Sequence, residues 1–199
     1  MKRGSGLMLP LLLSAGLANA ATEPGEAGRA VDHVLQRARA IVLTQDQRKA
    51  KLLSLHDLAR ELLDTRAMGH RALGEELAQQ PAQQQAEFFE LFDLMMVRAY
   101  LQKLLLFRNP EFAVVAEDAQ PKAVLVRTLI STPKDEFRVD YEMRMRGDTW
   151  RATDVVIEGI SLIRNYRSQL RALLRSHSFE ELLERMRRKT RSMAAPRGT

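Results

Sequence analysis

The chain has 199 residues, a formal net charge of +6 and no cysteine. The lack of cysteine excludes disulfides, thiolate zinc sites and a cysteine nucleophile. The positive charge suits nucleic acid or an anionic membrane surface equally well, so it does not by itself identify a partner.

The first segment, residues 1–20, predicts a secretory signal peptide. A basic start precedes an apolar run over residues 7–13, and Ala18 and Ala20 place small residues at the cleavage site. This run is too short to cross about 30 Å of hydrocarbon, which needs about 20 apolar residues. We therefore expect cleavage after Ala20 and one soluble exported domain over residues 21–199. Export also argues against nucleic acid as a partner.

The first half of that domain predicts helices. Apolar side chains over residues 26–43 recur at the i, i+3, i+4 spacing of an amphipathic helix. Asp46 resembles the N-cap of a second, leucine-rich helix, and residues 66–73 predict a short third helix that ends at Gly74. A fourth helix, with Pro81 in its first turn, is apolar nearly all round and should be buried on more than one side.

After Pro110 the apolar period changes to two, which is typical of strands. The predicted strands cover residues 112–117, 124–130, 137–145 and 149–157. Turn residues between them predict an antiparallel meander. Helices resume over residues 161–175 and 179–193. This order predicts an α+β fold, with helices packed on one face of a curved antiparallel sheet of about four strands.

Enzyme motifs are missing from the sequence. It has no GK[ST] phosphate loop, no HExxH and no GxSxG, and its four histidines are scattered. Asp140 and Glu142 share a strand face with arginines, so ion pairing explains that face without catalysis. We therefore predict no metal, no cofactor and no enzymatic activity.

Methionine and aromatic side chains are concentrated on two predicted faces, namely the inner strand face and the apolar helix opposite it. Methionine adapts to irregular space around variable partners. A filled hydrophobic core is nevertheless the simpler interpretation of the pattern alone. Periodicity does not distinguish a filled core from one that holds a ligand.

The segment over residues 154–170, DVVIEGISLIRNYRSQL, follows Trp150 closely. Together they form a long, ordered motif: tryptophan, then aspartate, then Glu-Gly, then serine, then Asn-Tyr-Arg. It closely resembles the MlaC or toluene-tolerance family, the periplasmic phospholipid-binding component of a bacterial ABC transport system that maintains outer-membrane lipid asymmetry. The resemblance extends more loosely over residues 84–100 and 179–186. Residues 68–70 and 73–80 depart from the family pattern.

This resemblance implies that the helices and the sheet enclose an apolar pocket, which holds acyl chains while the headgroup stays in water. Each methylene is worth about 0.8 kcal/mol out of water, so lipid needs such shielding to cross an aqueous gap. The implied partners are a phospholipid, an inner-membrane ABC transporter complex and an outer-membrane lipoprotein complex. The expected pocket residues are Phe92, Met96, Tyr100, Leu104, Val126, Tyr141, Met143, Trp150, Ile160, Ile163 and Tyr166. Helical spacing also predicts that Ile160, Ile163, Tyr166 and Leu170 face the sheet.

Two alternatives to a phospholipid carrier stay open. One is a periplasmic binding protein for another apolar lipid such as a hopanoid, because a sister group associated with hopanoid synthesis shares the C-terminal pattern. The other is an enzyme on a similar cone-shaped fold, which would need acid and base side chains inside the pocket. The inward positions that the pattern assigns are apolar, which argues against the enzyme.

Overall fold

The computed structural model describes residues 24–105 and 109–194, so the predicted signal peptide lies outside the described residues. Five helices come first: α1 (Glu26–Leu43), α2 (Arg48–Leu62), α3 (Thr65–Leu73), α4 (Glu75–Ala78) and α5 (Ala82–Leu104). Five strands follow: β1 (Glu111–Gln120), β2 (Ala123–Ser131), β3 (Glu136–Arg146), β4 (Thr149–Ile157) and β5 (Ile160–Ser161). Helices α6 (Leu162–Leu174) and α7 (Phe179–Ala194) complete the described chain.

The strands form one antiparallel sheet in the order β1-β2-β3-β4-β5, which is also their order along the chain. Helices pack against this open sheet, which confirms the predicted α+β fold. The two-residue strand β5 was not predicted. Register shifts between Val114 and Ala116 and between Glu142 and Met143 mark two bulges, which bend a sheet and increase its twist.

The helix starts differ from the predictions at several places. The N-cap of α2 is Gln47, not Asp46, and it makes no side-chain capping bond. Helix α5 begins at Ala82, so Pro81 precedes the helix and accepts a bond from the Gln85 backbone amide through its carbonyl. The short helix α4 was not predicted, and it starts after Gly74, whose positive φ of 57° lets the chain turn sharply.

Helix α5 is buried on several sides, as its composition predicts. It packs against α2, α3 and α7, and Phe88, Phe92 and Val97 are fully buried. Among the described residues, no helix is both long and apolar enough to span a membrane.

Helices α1 and α2 form an antiparallel hairpin across the sheet. The backbone amide of Gly28 donates to Glu117 Oε1 at 2.8 Å, and Arg39 Nε donates to the Pro110 carbonyl at 2.9 Å. Helix α1 therefore runs antiparallel to β1, and its C-terminal end extends past the residue at which β1 begins. Helix α2 returns to the opposite end of the sheet, where the amide of Asp64 donates to the Ala152 carbonyl at 2.9 Å. The connection between the two helices consequently projects beyond the sheet.

Candidate functional site

An apolar cavity lies between the α1–α2 hairpin and the sheet. It contains about 580 Å³ of space not filled by atoms, part of which is open to solvent. Only about 40 Å³ can hold the centre of a water molecule, so the cavity is a narrow slot between side chains. The lining residues are Val34, Leu35, Ala38, Leu55, Leu58, Ala59, Leu62, Leu63, Met96, Leu101, Phe112, Tyr141, Val155 and Leu162.

The cavity lining is suited to hydrocarbon. Among the described residues that line it, Tyr141 alone carries a polar side-chain atom. Such a wall offers no pair of acid and base groups for proton transfer, and it would leave the polar groups of a hydrophilic ligand without hydrogen-bond partners. An apolar chain, in contrast, gives up no hydrogen bonds when it moves from water into this space, and its transfer out of water is favourable in free energy.

Two of the predicted pocket residues line this cavity. Met96 of α5 and Tyr141 of β3 are each 2% exposed, and they contribute from the helix layer and from the sheet. The sequence had placed both on faces rich in methionine and aromatic residues. The structure brings those two faces together around the cavity.

A second group of predicted residues packs in the core and is not part of the cavity lining. The ring of Phe92 stacks on Phe88 with centroids 5.4 Å apart and meets the ring of Tyr166 edge-on at 5.6 Å. Tyr166 is half-buried, and this burial raises the pKa of its hydroxyl. Val126, Met143 and Ile163 are also buried outside the lining.

The remaining predicted residues are at the periphery or outside the described side chains. Trp150 is partly buried, and its indole Nε1 donates to Glu26 Oε2 at the start of α1 at 3.4 Å. The prediction that Ile160 faces the sheet, in line with Ile163 and Tyr166 at helical spacing, is wrong, because Ile160 lies in β5 and is 63% exposed. A tight turn over Glu158 and Gly159, both with positive φ, reverses the chain so that β5 pairs with β4 before α6 begins. The side chains of Tyr100 and Leu104 lie outside the described residues.

Sequence reasoning missed the cavity wall that α1 and α2 provide. Val34, Leu35 and Ala38 lie on the buried side of α1, and Leu55, Leu58 and Leu62 lie on the buried side of α2. Their periodic pattern predicted the helices but not what the apolar side of each helix would face. The buried leucines of α2 keep the i, i+3, i+7 spacing of an ordinary packing stripe, so no signal in the sequence distinguished a cavity wall from a filled core.

The segment that carries the family resemblance has a structural role in the fold. The buried carboxylate of Asp154 accepts from the amides of Val155 and Ile163 at 2.8 and 3.2 Å, and from Ser161 Oγ at 2.5 Å. Ser161 Oγ in turn caps α6 by accepting from the amide of Arg164 at 3.1 Å. These bonds fix the turn between β4 and α6.

An ion-pair network joins α3 to the sheet near the same turn. Arg71 binds both oxygens of Glu142 at 3.0 and 2.9 Å, and Arg144 Nη2 donates to the same carboxylate at 2.8 Å. Burial disfavours the charged form of Glu142, but the hydrogen bonds from Arg71 and Arg144 outweigh it and lower the pKa of this carboxyl. Glu142 is ion-paired, as predicted, but its partners are Arg71 of α3 and Arg144 of its own strand and not an arginine of a neighbouring strand. In the part of the chain that the structure describes, no cluster of side chains could hold a metal ion.

Comparisons with known proteins agree with this architecture. The sequence model of the family described as MlaC protein matches residues 29–188. A solved structure of a phospholipid-binding protein from Ralstonia solanacearum, in complex with a phospholipid, superposes with a TM-score of 0.76 at 20% sequence identity. The match covers 86% of this chain and 100% of that chain. No curated protein gives a significant match.

Proposed function

Since the chain belongs to the MlaC protein family, we propose that it is a periplasmic phospholipid-binding protein that carries lipid between the two membranes of the bacterial envelope. The observation that carries this proposal is the apolar cavity between the α1–α2 hairpin and the sheet. The Ralstonia protein supports it, because that protein has the same fold and its structure contains a phospholipid.

The shape of the cavity supports reversible binding. Its narrow space and soft side chains such as Met96 suit flexible acyl chains, which enter as the walls move apart. Transfer from a bilayer into an apolar cavity exchanges one hydrocarbon environment for another, so it is nearly balanced in free energy. A carrier of this kind can take up and release lipid, but it cannot set the direction of transport.

Direction must therefore come from partners. We propose that an inner-membrane ABC transporter complex and an outer-membrane lipoprotein complex load and unload the carrier, and that this traffic maintains the lipid asymmetry of the outer membrane. Residues 1–20 would export the chain and be removed after Ala20. The released protein would then work in the periplasm.

Lipid analysis of exported protein tests the proposal. The full chain is expressed in a Gram-negative host, released from the periplasm and purified without detergent. We expect native mass spectrometry and organic extraction to show at least one phospholipid for each protein molecule, and N-terminal sequencing to begin at Ala21. Retention of Met1 would contradict the export step.

Protein that carries no lipid, and that acquires none from phospholipid vesicles, would overturn the carrier function. Exchange against hopanoid-containing vesicles extends the same assay. Uptake of hopanoid with exclusion of phospholipid would assign the cavity to the other lipid class.

A further inference from the structure

The connection between α1 and α2 exposes apolar side chains where the fold does not require them. We call residues 43–53 the hairpin tip, which lies beyond the end of the sheet at which β1 begins. Leu43 is 41% exposed and Leu53 is 59% exposed. Buried residues of both helices, Val42 and Leu55, directly flank this tip, so the two exposed leucines are not needed to fill the core.

The hairpin tip is also basic. It contains Arg48, Lys49 and Lys51 against a single acid, Asp46, which gives it a formal net charge of +2. Lys51 Nζ caps α1 by donating to the Val42 carbonyl at 2.7 Å. Arg48 and Lys49 are exposed and form no ion pair within residues 24–105 and 109–194. They stand in the first turn of α2, where the helix dipole disfavours positive charge, so helix stability does not account for them.

From this combination we propose that the hairpin tip docks the protein on an anionic lipid bilayer. Leu43 and Leu53 enter the interface between headgroups and acyl chains, while Arg48 and Lys49 contact the lipid phosphates. Exposed apolar side chains beside basic ones are what an anionic membrane surface attracts. The opposite charges of the tip and the membrane favour this occupant over an apolar groove on a protein.

The hairpin tip lies close to the cavity, so docking there would bring the cavity near the bilayer. Ala38 and Leu55 line the cavity, and they lie within about a turn and a half of the exposed leucines on α1 and α2. A bilayer at the tip would therefore meet the two helices that form one wall of the cavity. The inference concerns a surface outside the cavity, and docking does not require the cavity to contain lipid.

Vesicle co-sedimentation of the purified full-length mature protein tests the docking surface. The probes are vesicles of phosphatidylcholine alone and vesicles that also contain 30% phosphatidylglycerol. We expect binding to the anionic vesicles only, and weaker binding as salt is raised. Each basic side chain near an anionic surface contributes about 1 kcal/mol, which is roughly 5-fold in partition. The double variant Arg48→Gln/Lys49→Gln should therefore bind roughly 30-fold more weakly.

Matched control variants test whether vesicle binding depends on the hairpin tip itself or on positive charge and exposed apolar side chains anywhere on the surface. Arg188→Gln/Lys189→Gln removes two exposed charges from α7 and should retain most of the binding. Leu43→Ser/Leu53→Ser should lose binding, whereas Val115→Ser/Met145→Ser, at two exposed apolar positions of the sheet, should not. Circular dichroism verifies that each variant is folded.

Three results would overturn the proposal: no binding to anionic vesicles, equal binding to both vesicle types, or equal losses in the tip variants and their controls. Lipid extracted from each purified variant gives an independent readout of the cavity. Normal lipid content together with absent vesicle binding would reject the docking surface and leave the carrier function intact. Absent lipid content would reject the carrier function whatever the vesicles show.

Discussion

Filling the cavity with a larger side chain separates ligand space from solid core. Ala38 lines the cavity and is 6% exposed, whereas Ala72 in α3 is fully buried and is not part of the lining. Both are helical alanines, so Ala38→Leu and Ala72→Leu change composition, helix propensity and side-chain volume equally. Only the space that receives the new side chain differs.

The expected effects on stability have opposite signs. Leucine adds three carbon atoms, and burial of each is worth about 0.8 kcal/mol, so Ala38→Leu should stabilise the lipid-free protein by up to about 2 kcal/mol. Overpacking in a filled core costs about 1–3 kcal/mol, which is the expected loss for Ala72→Leu. In a domain of this size 1 kcal/mol shifts the Tm by about 2–4 °C. The Tm values of the two variants should therefore differ by several degrees.

Calorimetry of delipidated protein and extraction of bound lipid provide the two measurements. We expect Ala38→Leu to raise the Tm and to reduce bound phospholipid at least two-fold, while Ala72→Leu lowers the Tm and binds lipid in proportion to the folded fraction. An Ala38→Leu protein that is destabilised as much as Ala72→Leu, and that still carries the normal amount of lipid, would refute the assignment of this cavity to ligand.

Three further predictions concern the surroundings of the cavity. The pKa of Glu142 is lowered in the folded state, so its stabilising effect is present above the ordinary value of 4.5 and is lost as the pH falls; Glu142→Gln should make the free energy of unfolding from urea titrations less dependent on pH in the acid range, and an unchanged dependence would contradict this. Ser161→Ala removes both the cap on the Arg164 amide and the hydroxyl that donates to the buried Asp154 carboxylate, so it should cost about 2–4 kcal/mol in the same titration, whereas Ser192→Ala on the surface of α7 should cost little. Met143→Ala should cost about 2–5 kcal/mol and leave lipid content unchanged, because Met143 is fully buried outside the cavity lining; a specific loss of lipid would place it in the pocket.

The regular elements of the fold could be predicted because burial imposes a period on the sequence. The bounds of α1 and β4 agree with the predicted 26–43 and 149–157. In each, apolar residues recur at the spacing of the face that the structure buries. The turn residues between the strands likewise predicted the antiparallel meander, since neighbouring strands with short connections pair with each other.

The features that were missed depend on tertiary contacts. The N-cap of α2 moves to Gln47, and the end of β4 folds back through Glu158 and Gly159 into β5. Neither change alters the apolar period, so neither leaves a signal in it. The cavity posed the same difficulty: Phe92 and Met96 occupy one helix one turn apart, yet only Met96 lines the cavity. Whether a side chain lines the cavity depends on the distance between the packed helices and the sheet. The apolar pattern of a single sequence does not report that distance.

The agreement between strand order and chain order has a consequence for how the protein folds. Every pairing in the sheet joins strands that are consecutive in the sequence, so each hairpin closes only a short loop at a small cost in chain entropy. Topologies with local contacts cross a lower barrier and fold faster than those that must first join distant segments. We therefore expect the meander to form early, with α1 and α2 docking on it in a later step. The walls of the cavity would then be assembled last, and the apolar sheet face would be open to hydrocarbon during the interval.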